Sequence, residues 1–114
     1  MKLAFDFNDT TRVENGPFFS AITRALRRDG HKIYIITDSF TGYDSNISKD
    51  LYKQRRKKLF EMGIYYNLLI ITGDKEEFCK KEGIDYMIDN RPNLYFTNSE
   101  VIHLQLIFNL GLRR

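Results

Sequence analysis

The chain has 114 residues, 42% hydrophobic and 29% charged, an ordinary globular composition with room for one domain and one core. Lys and Arg number 18 against 15 Asp and Glu, and this net charge of +3 does not by itself argue for nucleic acid. A single cysteine, Cys79, excludes an internal disulfide and fits a reducing compartment, and no apolar run approaches the roughly 20 residues needed to span a bilayer.

The chain enters an apolar stretch at once, with no signal-peptide pattern, so a cytoplasmic protein is expected. Leu3 to Phe7 is apolar on both sides, as a strand buried on both faces requires. After a polar turn, Asn15-Gly16-Pro17 opens a helix, because proline at a first helical position loses no hydrogen bond. Phe18, Ile22, Ala25 and Leu26 keep helical spacing, and Gly30 ends it. Lys32 to Thr37 reads as the second strand, followed by a polar and aromatic loop from Phe40 to Asn46. A long helix from about Ser48 to Met62 places Leu51, Leu59 and Met62 on one side. Arg55, Arg56, Lys57 and Lys58 crowd its middle and read as a solvated helix face, since four consecutive residues spread around a helix.

Leu68 to Ile71 is the third strand, closed by Thr72-Gly73-Asp74, with Asp74 read as a helix cap. A short helix covers about Lys75 to Glu82 and stops at Gly83. Ile84 to Ile88 is the fourth strand, ending in Asp89-Asn90-Arg91-Pro92. Pro92 to Asn98 reads as a short helix and Val101 to Phe108 as a fifth strand, with a C-terminal helix from Ser99 as the alternative. Strands alternating with helices over 1–114 predict a single α/β domain, a three-layer Rossmann-like fold with a five-stranded parallel sheet.

In such a sheet all carboxyl ends share one rim. Asp6 to Thr10, Thr37 to Ser39, Thr72 to Lys75 and Asp89 to Arg91 therefore gather there. Two carboxylates with backbone carbonyls and water suit Mg²⁺. Hydroxyls, helix-start N–H groups and a Lys suit a phosphate. Asp85 is set aside: four residues before Asp89 on one strand, it lies on the order of 13 Å away at the other rim. Cys79 reads as a packing residue, His31 and His103 lack metal-ligand spacing, and Phe40 and Tyr43 read as loop anchors.

Four short motifs resemble the haloacid dehalogenase-like superfamily, mostly Mg²⁺-dependent phosphohydrolases that pass through an aspartyl-phosphate. They are Asp6-Phe7-Asn8-Asp9-Thr10 after an apolar strand, Ile35-Ile36-Thr37, Lys75 at a helix start, and Met87-Ile88-Asp89-Asn90. The resemblance implies Asp6 as nucleophile and Mg²⁺ ligand, Thr37 on the phosphoryl oxygens and Lys75 offsetting charge. It implies Asp89 and the carbonyl of Asn8 on the metal, with Thr10, Asp38 and Asn90 at the substrate. The family's acid/base Asp is Asn8 here, which cannot exchange a proton, and losing such a group costs about 10²–10⁴ in rate. Little turnover is therefore expected. No segment between the motifs is long enough for a cap domain, and the family associates missing caps with large or protein-borne phosphorylated substrates, or with closure by oligomers. Two rival readings are a non-catalytic phosphate- or metal-binding regulatory module and, ranked last, a response-regulator-like receiver. The third strand ends in Thr72-Gly73 where a receiver needs an acceptor Asp.

Overall fold

The computed structural model describes residues 1–11, 15–38, 45–89 and 100–103. The elements in chain order are β1 (Lys2–Asp6), α1 (Phe7–Thr10), α2 (Gly16–Arg28), β2 (Lys32–Asp38), α3 (Ser45–Glu61), β3 (Leu68–Thr72), α4 (Lys75–Glu82), β4 (Tyr86–Asp89) and β5 (Glu100–His103). The strand order is β3-β2-β1-β4-β5 and every pairing is parallel. The α/β architecture with a parallel, Rossmann-like sheet is thus present.

The side-chain period of two along each strand divides the core. Leu3, Phe5, Ile33, Ile35 and Leu69 meet Phe19 of α2 and Leu59 of α3 on one face. Ala4, Tyr34, Ile36 and Met87 meet Cys79 of α4 on the other. The topology explains this split. α2 and α3 carry the chain outward from β1 to β2 and then to β3. α4 carries it back past β1 to β4. Right-handed crossovers running in opposite directions place their helices on opposite faces. The direction of winding reverses beside β1, the place in open α/β sheets where ligand crevices form.

Several boundaries move from the sequence expectation. Phe7 closes no strand; it starts the single turn α1, packed into the core at 4% exposure. The fourth strand starts at Tyr86 and runs to Asp89. Asp85 stays out of it because its carboxylate accepts the Lys2 backbone N–H at 2.8 Å and its own N–H donates to the Lys2 carbonyl. That contact confirms Asp85 at the amino edge, away from the rim. Of the expected fifth strand from Val101 to Phe108, the described residues reach His103. Four strands with their helices form the body, and β5 is a four-residue segment paired in register with β4, Asp89 opposite His103. The proposed helix at Pro92 to Asn98 lies outside the described residues, as does everything beyond His103.

Candidate functional site

Asp6 ends β1, beside Ile36 of β2 in register. It is 6% exposed and forms a buried ion pair with Lys75 Nζ, 69 residues away. The sequence dictates this meeting. Ala4 and Ile36 face α4, so alternation turns Asp6 to the same side. Lys75 is the first residue of α4, positioned by Asp74, whose side chain caps the helix by accepting the Glu77 N–H at 3.0 Å. Asp74 is therefore the cap that its position in the sequence predicts.

The turn after Asp6 is held by its own threonines. Thr10 Oγ1 donates to the Asp6 carbonyl at 2.7 Å and Thr11 Oγ1 to the Phe7 carbonyl at 2.8 Å. Both are i to i−4 bonds, a pattern that lets a short polar side chain satisfy a backbone group locally. Thr10 is thus a buried brace of the strand end, where the sequence reading placed a substrate contact. Asn8 is exposed on this turn.

Thr37 lies one residue beyond the register partner of Asp6. It is 2% exposed, and among the described residues its Oγ1 has no hydrogen-bond partner. Ile33 and Ile35 face α2 and α3, so Thr37 turns to that side, opposite Asp6. Phe7 faces the same side, and the Arg55 guanidinium lies over its ring with Cζ 4.7 Å from the centroid. Arg55 Nε is buried and also lacks a hydrogen-bond partner among the described residues. Arg55 is a residue that sequence reasoning missed. It was grouped with three neighbours as a solvated face, yet it is half-buried and reaches the residue that follows Asp6.

The rim thus carries an ion pair on one side of the sheet and two unsatisfied donors on the other. The side chains of Asp38 and Asp89 lie outside the described residues although their backbones end β2 and β4, and Asn90 lies outside them entirely. Among the described residues no three His, Cys, Asp or Glu side chains are grouped to hold a metal ion. Asp6 has its counter-ion in Lys75. Further along α4, burial pushes the Cys79 thiol up to about 12, with the Lys75 charge acting weakly the other way.

No family model matches the chain, and no curated protein matches it. Among the solved structures that resemble it are two universal stress proteins. One is a universal stress protein from Archaeoglobus fulgidus, 14% identical, covering 90% of this chain and 91% of that one, with a TM-score of 0.49. The other is a universal stress protein in complex with cAMP, 10% identical, covering 77% of this chain and 70% of that one, with a TM-score of 0.47. The expected membership of the haloacid dehalogenase-like superfamily is therefore corrected, because the similar structures are universal stress proteins and no family model supports it. The aspartyl-phosphate phosphohydrolase and the receiver fall with it. The physical reason lies in how little the four motifs demand. A carboxylate, a threonine and a lysine at strand ends are what parallel α/β sheets commonly offer, whatever the chemistry. No helix among the described residues is long and apolar enough to cross a membrane.

Proposed function

We propose that the chain is a binding module for a small nucleotide-type ligand, seated at the carboxyl edge of the sheet beside β1 and β2. The observation that carries this reading is the buried Thr37 hydroxyl without a partner, on the same side of the sheet as the unpartnered Arg55 Nε. A buried polar group left unsatisfied costs about 1–3 kcal/mol. Native structures keep such groups rarely, and a ligand that supplies the missing acceptor recovers the cost. Both Thr37 Oγ1 and Arg55 Nε donate, and a guanidinium prefers planar anionic oxygens. A phosphate fits that pair, and the hydroxyls and amines of a nucleoside fit the polar rim around Asn8. The reversal of winding beside β1 marks the place where open α/β sheets seat ligands. No turnover is part of this proposal: Asn8 offers no proton, and Asp6 is paired with Lys75.

The test is thermal unfolding of the chain with ATP, AMP, cAMP and inorganic phosphate, each with and without Mg²⁺. Binding to the folded state alone raises the midpoint as ligand exceeds Kd. At least one nucleotide should give a saturable rise, absent in Thr37→Val and Arg55→Leu. Without ligand, Thr37→Val should be as stable as the parent or more so, because it removes an unsatisfied hydroxyl. No rise with any nucleotide, or an undiminished rise in both variants, overturns the reading.

A further inference from the structure

Away from this rim, α3 carries a second charged feature. Lys49, Lys53, Arg56 and Phe60 follow one another at spacings of four, three and four, and Lys57 stands four beyond Lys53. Those spacings form one stripe on a helix. All five residues are exposed, Phe60 at 85%. The stripe borders two adjoining clefts. The first, about 560 Å³, lies between α3, Arg27 in the last turn of α2, and the Gly63–Tyr66 segment. The second, about 530 Å³, lies between α3 and the open edge of β3. Lys53 and Arg56 line both. Among the described residues neither cleft is lined by an acidic side chain.

Aromatic rings alternate with these cations. Arg24 and Arg27 lie over the Tyr65 ring at 5.3 and 5.9 Å from its centroid, and Arg56 lies 5.8 Å from that of Tyr52. The cleft wall is fixed before any ligand arrives. Thr23 Oγ1 accepts the Tyr65 N–H at 3.1 Å, and Ser20 Oγ donates to the Gly63 carbonyl at 2.9 Å. Because Tyr65 and Tyr66 precede β3, the first cleft opens toward the amino edge of the sheet, opposite the rim.

We infer that this face binds single-stranded nucleic acid. The five cations Arg27, Lys49, Lys53, Arg56 and Lys57 meet a phosphate backbone along a track, the term that dominates such affinity. Exposed Phe60, Tyr52 and Tyr65 offer flat surfaces on which unpaired bases stack, as single-strand binders use them. A duplex hides its base faces and cannot use those rings. The whole chain carries only +3, so this concentration of cations on one face is a property of the fold rather than of the composition.

Fluorescence anisotropy with a labelled oligouridylate of roughly a dozen nucleotides tests this directly. Binding should weaken with salt, with a log–log slope of about −0.7 for each phosphate contacted. Lys53→Glu with Arg56→Glu should reduce affinity about tenfold or more and flatten that slope. Phe60→Ala with Tyr65→Ala should reduce it about five- to hundredfold with the slope unchanged. Circular dichroism of each variant confirms folding, and because these side chains are exposed the variants retain the parent spectrum. Thr37→Val should bind the oligonucleotide normally, which separates this face from the rim site. No binding at low salt overturns the inference. So does equal affinity for the matching duplex, for polyphosphate or polyglutamate, or for anionic lipid vesicles, and so does an aromatic variant without effect.

Discussion

Asp6 and Thr37 are neighbours on adjacent strand ends, yet alternation sends them to opposite faces of the sheet, and that single fact governs the chemistry of the rim. Asp6 meets a buried ammonium; the Thr37 hydroxyl has no hydrogen-bond partner among the described residues. Cys79, in the same α4 face as Asp6, shows burial acting on a titration. Its thiol is raised from 9.0 to about 12 because the thiolate would be desolvated. Between those values the unfolded chain has released the proton and the folded chain has not. Folding stability from this residue is therefore complete below about pH 9 and declines as pH rises toward the folded value. Urea unfolding of the parent and Cys79→Ala at about pH 8 and about pH 10 should show the parent's advantage shrinking at the higher pH. A constant advantage would mean the thiol ionises normally in the folded state. The carboxylate, threonine and lysine were legible as rim residues in the sequence. Arg55 was not, because a run of four cations gives no sign of which one faces inward.

At the scale of elements, local sequence signals place the helices well. Pro17 stands near the start of α2, Asp74 caps α4, and Gly83 takes φ +71 where α4 must end in a left-handed residue. Asp74 holds Lys75 in place as well as closing the helix. Asp74→Ala should lower stability by about 1 kcal/mol, measured by urea unfolding. The α3 stripe shows what a run hides and a spacing reveals. Arg55 to Lys58 spreads around the helix, but Lys49, Lys53, Arg56 and Phe60 lie on one side. The signal was in the sequence, at a period of three and four rather than in consecutive letters. The boundary of β4 was not: it is set by the bonds between Asp85 and Lys2, which are 83 residues apart.

At the scale of the molecule, the Asp6–Lys75 pair ties β1 to α4 across 69 residues and across the reversal of winding. Removing one partner leaves a buried charge without its counterpart. Lys75→Met should destabilise the chain by about 3–5 kcal/mol, while Lys75→Met with Asp6→Leu should recover most of that, both read from urea unfolding. Recovery in the double variant identifies the pair as a device for specificity; a further loss would identify it as a source of stability. The two charged features also separate at this scale. The rim holds a neutralised pair and two buried donors without hydrogen-bond partners among the described residues, whereas the amino edge and the β3 edge hold cations beside aromatic rings.

The sequence by itself determined the α/β class, the alternation of strands and helices, and the set of polar residues at the strand ends. These follow from periodicity and from turn residues, which act over a few neighbours. Only the tertiary structure decided which of those polar residues meet. Pairing Asp6 with Lys75, leaving Thr37 unsatisfied, drawing Arg55 onto Phe7 and collecting the cations of α2 and α3 around one cleft all depend on strand order and on the face each side chain takes. Strand order is set by long-range burial and crossover handedness, which no local window of residues records.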